Sequence, residues 1–403
     1  MPGLYDSFGT RDFDDLYRKY EGQTDIPREN VPAQELILDL LKERAETGRI
    51  YIMNIDHCND HSSFVDKVSM SNLCQEITLP TTPLQHIDDP NGEIALCILS
   101  AINVGRITSD KELEDLCELS VRGLEELIDY QRYPVVAAEK STKARRSLGI
   151  GFIGLAHYLA KLGYNYDSQE AWDAVHGLTE SFQYFLLKTS NEIAKEKGRC
   201  DAFDRTKYSQ GKLPIDHFKT DVNEITQQPL VHDWQSLRQS ILEHGLRHST
   251  LSAQMPSESS SVVSNATNGI EPPRDYLSIK KSKKGPLKQI VPSYGSLKNN
   301  YTLLWDMESN RGYINVVSVM QKFFDQAISG NWSYNPENYP DNEVPVSVMA
   351  QDLLTTYKYG WKTSYYQNTH DMKSDEIEEP VVVSNLIAEI ENLEEESCES
   401  CTI

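Results

Sequence analysis

Long apolar runs are missing from this 403-residue sequence, since no stretch reaches the roughly 18 apolar residues of a membrane span. Met1 opens no signal-peptide pattern. Basic residues are too few for binding to a nucleic-acid backbone: 39 Lys and Arg stand against 61 Asp and Glu, a formal net charge of −22. Cysteine is scarce, and the seven thiols are odd in number and scattered, which favours a reducing compartment over a disulfide scaffold. We therefore expect a protein of the cytoplasm, or of the host cytoplasm if a virus encodes it, with no membrane or nucleic-acid partner.

The composition is that of a large globular protein, because 39% hydrophobic content over 403 residues suffices for a sizeable core. Helical patterns alternate with short β-rich runs along the chain. The helices are predicted over 110–130, 169–197 and 233–244, and the strands over segments such as 49–55 and 246–251. This alternation indicates an α/β fold with parallel strands.

A single thiol between an amide and a carboxylate is the most informative local pattern, in Ser71-Asn72-Leu73-Cys74-Gln75-Glu76. In an extended segment successive side chains alternate, so Asn72, Cys74 and Glu76 would share one face. That face would present a nucleophilic or one-electron sulfur, a hydrogen-bonding amide and a base. The spacing alone is equally compatible with a buried structural cysteine in a strand.

Two other patterns have a chemical and an ordinary interpretation. The residues Ser257, Glu258, Ser259 and Ser260 precede a predicted helix, where free N–H groups and hydroxyls can hold a phosphate. Ordinary N-capping uses the same residues. Tyr365 and Tyr366 are adjacent, which is typical of packing, although a tyrosine pair can also carry an oxidising equivalent by coupled electron and proton movement.

Three cysteines have distinctive settings. Cys97 lies in an apolar run over 94–99, where a buried inert thiol is the ordinary expectation. Ten acidic residues and no Lys or Arg lie between Ser374 and Cys401, which predicts a flexible acidic tail. That tail ends in Cys398-Glu399-Ser400-Cys401, a dithiol spacing.

Two weaker patterns favour structural roles. The run Leu148-Gly149-Ile150-Gly151-Phe152-Ile153-Gly154 starts inside an apolar segment, so close backbone packing is preferred over a dinucleotide loop. His57, Cys58 and His61 are close together, but a fourth zinc ligand at standard spacing is missing. Tertiary hydrogen bonds of the histidines are therefore preferred, and no metal site is predicted.

Several segments together resemble the large, catalytic subunit of class I ribonucleotide reductase, nearly from end to end. The similar segments, in the family's order, are Met1-Pro2-Gly3-Leu4-Tyr5-Asp6, Thr47-Gly48-Arg49-Ile50-Tyr51, the Cys74 hexapeptide, Gly92-Glu93-Ile94-Ala95-Leu96-Cys97, Met255-Pro256-Ser257-Glu258-Ser259-Ser260, Asn265-Ala266-Thr267-Asn268-Gly269-Ile270-Glu271-Pro272-Pro273 and Tyr365-Tyr366-Gln367-Asn368-Thr369. The family's large subunits are much longer, and Met1 stands at a motif that is internal in them. The chain thus resembles the C-terminal half of a split large subunit.

The resemblance implies a fold and a domain division. The fold would be the second part of a ten-stranded α/β barrel, built from two half-barrels of parallel strands, with a catalytic finger loop and a small C-terminal α/β domain. Residues 1–70 would end the first half-barrel, 71–255 would form the finger loop and second half-barrel with helical insertions, 256–370 would form the phosphate-binding turn, a hairpin and the C-terminal domain, and 371–403 would be the tail.

The resemblance also implies roles for the residues. Cys74 would carry a thiyl radical that abstracts the 3′-hydrogen of a ribonucleoside diphosphate, with Glu76 as general base and Asn72 bound to the substrate's hydroxyls. Cys97 would form a disulfide with a cysteine of another chain. The four residues 257–260 would hold the diphosphate, Tyr365 and Tyr366 would relay the radical, and Cys398 and Cys401 would restore the reducing thiols.

The implied partners are an N-terminal half of the large subunit, a small subunit that holds the metal and radical cofactor, and thioredoxin or glutaredoxin as electron donor. No cofactor is expected in this chain. The tail cysteines are closer together than is usual in the family. Two other functions remain open: a non-catalytic remnant that only binds the small subunit, and a thiol–disulfide exchange protein that uses the tail dithiol.

Overall fold

The computed structural model describes residues 1, 3–10, 12–282 and 285–370. Its α-helices are α1 (Leu4–Ser7), α2 (Asp12–Glu21), α3 (Ala33–Thr47), α4 (Ile55–Asp60), α5 (Asp110–Tyr130), α6 (Val136–Arg145), α7 (Leu155–Leu162), α8 (Gln169–Lys197), α9 (Trp234–His244), α10 (Glu258–Val263), α11 (Tyr294–Leu297), α12 (Arg311–Gln321) and α13 (Val346–Lys358). Its strands are β1 (Ile52–Met53), β2 (Ile98–Asn103), β3 (Leu148–Ile153), β4 (Leu277–Ser282), β5 (Gly285–Ile290), β6 (Trp332–Tyr334), β7 (Thr363–Ser364) and β8 (Gln367–Thr369). The described fold is mixed α/β.

The long helices occur where the sequence predicts them, because their ends carry local signals. Ser109 accepts a hydrogen bond from the Glu112 N–H at the start of α5, and Ser168 caps α8 in the same way. Gly198 ends α8 with a φ of +87°, a conformation that favours glycine. The predicted helix over 233–244 begins one residue later, because Asp233 is its capping residue.

Four parallel segments form the framework behind the site. β2 pairs with β3 in register from Ile98↔Leu148 to Asn103↔Ile153. On the other side of β3, residues 250–254 accept its N–H bonds, and residues 326–329 pair in turn with Gln254. Aromatic rings pack against this layer: the Phe152 and Phe182 centroids are 4.5 Å apart.

One strand prediction is wrong, and another is confirmed only in part. The segment 246–251 is not a strand, because the N–H groups of Arg247 and Ser249 donate to carbonyls of α8 and α6. Only its last two carbonyls, those of Thr250 and Leu251, accept N–H bonds from β3, next to the strand-like pairing at Ser252. Of the segment 49–55, only β1 is a strand, paired antiparallel with β7, and Ile55 already begins α4.

No closed barrel forms among the described residues, whose named strands pair two by two. The ten-stranded barrel and the domain boundaries therefore stay predictions, and the acidic tail over 371–403 lies outside the described residues. The predicted hairpin is confirmed by β4 and β5, which pair antiparallel from Leu277↔Ile290 to Ser282↔Gly285.

Candidate active site

The Cys74 segment is a closed turn, so the prediction of an extended segment is wrong. The Gln75 N–H donates to the Asn72 carbonyl at 3.2 Å, and Gln75 has a left-handed φ of +66°. The Asn72 side chain closes the turn, because its Oδ1 accepts the Ile77 N–H at 3.1 Å. Side chains in such a turn do not alternate between two faces.

The turn nevertheless brings the Cys74 backbone and the Glu76 carboxylate to the same serine. Ser329 joins them: its hydroxyl donates to the Cys74 carbonyl, and its Oγ is 3.3 Å from Glu76 Oε2. The Ala327 N–H holds the Glu76 carbonyl at 3.0 Å. Cys74 is half-buried and Glu76 is buried, whereas Asn72 is exposed. The two residues predicted to carry the thiol and the base are therefore both held by Ser329.

Both predicted tyrosines lie at the thiol. The Tyr365 hydroxyl donates a hydrogen bond to Cys74 Sγ at 3.4 Å, and the ring centroids of Tyr365 and Tyr366 are 4.2 Å apart. Burial raises the pKa of Tyr365, and its hydrogen bond to Cys74 adds to the rise. Tyr365 therefore stays a protonated phenol against the sulfur.

Tyr51 is a third member of this aromatic cluster, to which the sequence reasoning gave no role. Its ring centroid lies 4.6 Å from that of Tyr365 and 5.2 Å from that of Tyr366. A hydrogen bond from Tyr51 lowers the pKa of Tyr366, and burial raises that of Tyr51. The sequence does single out Tyr51 in one respect, because it ends Thr47-Gly48-Arg49-Ile50-Tyr51, one of the segments that resemble the ribonucleotide reductase family.

A buried arginine fixes the backbone of the tyrosine pair. Arg44 donates to the carbonyls of Tyr365 at 3.0 Å and Tyr366 at 3.3 Å. Its guanidinium lies 4.6 Å from the Trp332 ring centroid. Burial lowers the pKa of Arg44 to about 10, so the group is charged at neutral pH.

Cys97 immediately precedes β2 and is half-buried. The Gln326 amide N–H lies 3.6 Å from its sulfur, and burial raises the pKa of the thiol. A Cβ at Gly149 would stand 2.9 Å from Cys97 Sγ, so the close packing predicted for this glycine run is confirmed. Ala327, the residue after Gln326, donates its N–H to the Glu76 carbonyl, so this segment contacts both the Cys97 region and the Cys74 turn. All five described cysteines are free.

The Ser257–Ser260 turn stands at the start of α10, as predicted. Ser257 makes no side-chain cap bond and donates instead to the Met255 carbonyl at 3.3 Å, so ordinary capping by this hydroxyl is not seen. Ser257 is buried, whereas Glu258, Ser259 and Ser260 are exposed. Ser329 links the segment before this turn to Cys74. Its N–H donates to the Gln254 carbonyl, and its hydroxyl donates to the Cys74 carbonyl.

The remaining predicted residues lie elsewhere. His57 Nδ1 and His61 Nε2 contact the carbonyls of Trp361 and Pro214 at 2.8 and 3.1 Å, which confirms their tertiary hydrogen bonds. In the part of the chain that the structure describes, no three His, Cys, Asp or Glu side chains are placed to hold a metal. Cys398 and Cys401 lie outside the described residues.

The comparisons with known proteins agree on one family. Residues 1–367 match the family described as ribonucleotide reductase, barrel domain. The chain is 56% identical over 380 residues to the ribonucleoside-diphosphate reductase subunit alpha of Haemophilus influenzae, which covers 93% of this chain and 50% of that protein. It is 51% identical over 380 residues to the subunit alpha of ribonucleoside-diphosphate reductase 1 of Escherichia coli, with the same coverage.

A phage relative extends the comparison. The chain is 40% identical over 376 residues to the subunit alpha of Enterobacteria phage T4, which covers 91% of this chain and 49% of that protein. The chain thus spans about half the length of the curated relatives that it matches. No helix among the described residues is long and apolar enough to cross a bilayer. The chain belongs to the ribonucleotide reductase barrel-domain family.

Proposed function

We propose that this chain is the catalytic C-terminal part of the large subunit of an aerobic, class I ribonucleoside-diphosphate reductase. It would reduce ribonucleoside diphosphates to 2′-deoxyribonucleoside diphosphates for DNA synthesis. The observation that carries the proposal is the 3.4 Å contact between the Tyr365 hydroxyl and Cys74 Sγ, at one end of a tyrosine cluster. The relatives' names and the family match support it.

The tyrosines would deliver an oxidising equivalent to the thiol. It would arrive from a small subunit, whose metal and radical cofactor generates it, and pass from Tyr366 to Tyr365 across rings 4.2 Å apart. Tyr365 would then take the hydrogen atom of Cys74 across the 3.4 Å contact, which restores the phenol and leaves a thiyl radical. Because Tyr365 stays protonated until oxidised, the electron and the proton move together at this step.

Cys74 and Glu76 would act on the substrate ribose. The thiyl radical abstracts the 3′-hydrogen, and the Glu76 carboxylate, held by Ser329, takes the proton of the 3′-hydroxyl. The exposed Asn72 keeps its amide nitrogen for a substrate hydroxyl, since its oxygen closes the turn. The 2′-hydroxyl then leaves as water, and the 3′-hydrogen returns from Cys74.

Two thiols supply the two electrons of the reduction. Cys97 and a cysteine on a separate N-terminal half would lose two hydrogens and form one disulfide for each deoxynucleotide made. Cys398 and Cys401 would reduce that disulfide by exchange and would themselves be reduced by thioredoxin or glutaredoxin. Tail variants with serine should therefore retain turnover with dithiothreitol and lose turnover with thioredoxin.

The framework would be completed by the N-terminal half. The parallel series of β2, β3, 250–254 and 326–329 would be part of one half-barrel of the ten-stranded barrel. Ser259 and Ser260 are exposed in the first turn of α10, where their hydroxyls and the backbone N–H groups of that turn would hold the substrate diphosphate.

Reduction of CDP to dCDP tests the proposal. The chain should be inactive alone and active with the N-terminal half, the small subunit and dithiothreitol. Cys74→Ser should abolish that activity, whereas Cys117→Ala, at a buried cysteine of α5, should retain it. An inactive but assembled mixture would favour a non-catalytic remnant, and dithiol exchange that needs no nucleotide would favour a thiol–disulfide exchange protein.

A further inference from the structure

Gln326 presents an N–H group to the sulfur of Cys97. The side chain is fully buried, and its Nε2 donates to the Leu148 carbonyl at 2.9 Å while lying 3.6 Å from Cys97 Sγ. Because a carbonyl only accepts hydrogen bonds, the Leu148 contact fixes which end of the amide is the nitrogen. The group that faces the sulfur is therefore a donor.

The backbone of Gln326 is held on both sides. Its N–H donates to the Ser252 carbonyl at 3.1 Å, and its carbonyl accepts from Lys362 Nζ at 2.8 Å and Gln321 Nε2 at 2.9 Å. The Lys362 ammonium also holds the carbonyls of the two preceding residues. The amide cannot move away from Cys97 without breaking buried hydrogen bonds.

Packing alone does not account for a glutamine at this position. Its Oε1 is buried and makes no hydrogen bond in the described part of the chain. An unbonded buried acceptor is destabilising, and methionine would fill a similar volume without one. The amide is therefore retained at a cost in stability, and its described side-chain donor contacts are the Leu148 carbonyl and the Cys97 sulfur.

We propose that Gln326 is a positioning residue that holds the Cys97 sulfur and favours its thiolate form in disulfide exchange. The inference rests on the proposed function for the redox role of Cys97 and deepens it. An N–H donor binds a charged sulfur more strongly than a neutral thiol. Burial and the charges of Asp325 and Glu76 oppose the thiolate, and the Gln326 donor offsets part of their effect on the pKa of Cys97.

The donor would act when the disulfide is reduced. A thiolate of the tail dithiol attacks the sulfur of the partner cysteine, a new S–S bond forms, and the old one breaks with Cys97 leaving as a thiolate. Exchange is faster when the leaving thiol has a lower pKa. Gln326 therefore makes Cys97 easier to release than it would be without the amide donor.

The test is the pH profile of Cys97 alkylation by iodoacetamide, followed on the Cys97 peptide by mass spectrometry. Gln326→Met should slow alkylation about three- to tenfold below the thiol pKa, with the profile shifted to higher pH, since one pKa unit is a tenfold change in thiolate. Gln326→Leu should give the same shift. The control is Gln367→Met, which removes a buried amide that contacts Met349 instead of Cys97 or Asp325.

Two buried cysteines in the same samples report on folding, because Cys117 and Cys200 become alkylated only if the core opens. The proposal would be overturned if Cys97 in both Gln326 variants were alkylated at the wild-type rate and with the wild-type pH profile while Cys117 and Cys200 stayed protected. The assay needs no partner protein and no turnover, so it separates this inference from a failure of the proposed reductase activity.

Discussion

Acid should destabilise the protein through three histidines whose native environment favours the neutral ring. Burial, together with the charges of nearby lysines, lowers the pKa of His157, His176 and His217 to about 4 from the ordinary 6.5. His176 accepts a hydrogen bond from the ammonium of Lys322 at 3.1 Å, which requires an unprotonated nitrogen. The perturbation is a change of pH from 8 to 5.

The direction and size of this change in the free energy of unfolding follow from proton linkage. Between pH 6.5 and 4 the unfolded chain binds protons at these rings and the native protein does not, so stability is full above pH 6.5 and falls as the pH drops towards 4. At pH 5 each histidine lowers the free energy of unfolding by about 2 kcal/mol. The three together remove about 6 kcal/mol, a large part of the roughly 5–15 kcal/mol of a typical domain.

Urea unfolding followed by tryptophan fluorescence at both pH values measures this loss. His176→Gln cannot take up the proton, so its free energy of unfolding should fall by about 2 kcal/mol less than that of the wild type between pH 8 and 5. His244→Gln, at an exposed position, controls for the substitution itself. Equal losses in His176→Gln and the wild type would refute the reasoning.

Three further predictions follow from single contacts. Tyr365→Phe removes the O–H group at Cys74 and should lower CDP reduction by at least about 10²-fold without unfolding the protein. Gly149→Ala places a Cβ 2.6 Å from Leu99 and 2.9 Å from the Cys97 sulfur, and should cost about 1–3 kcal/mol in urea unfolding. Lys362→Met removes a buried donor from three carbonyls, of which those of Phe324 and Gln326 keep the Gln321 amide as a second donor, and should cost about 1–3 kcal/mol in the same assay.

Each of these variants has a matched control. Tyr357→Phe removes a hydroxyl that binds Asp56 on the surface and should retain turnover. Gly177→Ala adds a Cβ with nothing within 4 Å and should be neutral or stabilising. Lys358→Met breaks an exposed ion pair and should change stability by less than about 1 kcal/mol. If a variant and its control had equal effects, the importance assigned to the corresponding contact would be contradicted.

The helices were predictable because their signals are local. The apolar spacing and serine caps of α5 and α8 lie within the helices' own sequence, and both helices have the predicted bounds. The segment 246–251 has the composition of a strand, but most of its bonded backbone N–H groups donate to α8 and α6, and only its last two residues bond to β3, which no local pattern reveals.

The candidate site was predictable in its residues and not in its geometry. Alternation along an extended segment grouped Asn72, Cys74 and Glu76, yet the segment is a turn closed by Asn72, and Ser329 binds both the Cys74 carbonyl and the Glu76 carboxylate. Ser329 and Gln326 carried no signal in the sequence, because their importance lies in contacts with residues more than 200 positions away.

The contact between Tyr365 and Cys74 joins residues that are 291 positions apart, and Arg44 holds the Tyr365 carbonyl across 321 positions. During synthesis at about 5–20 residues per second, the thiol is made roughly 15 to 60 seconds before the tyrosine that completes its surroundings. Helices such as α8 can form during that interval, because their contacts are between residues close in sequence. The contacts of Tyr365 with Cys74 and Arg44 cannot form until residue 365 has been made. A growing or truncated chain that lacks residue 365 thus carries Cys74 without its phenol contact, and the candidate site is completed only after the tyrosine pair has been made.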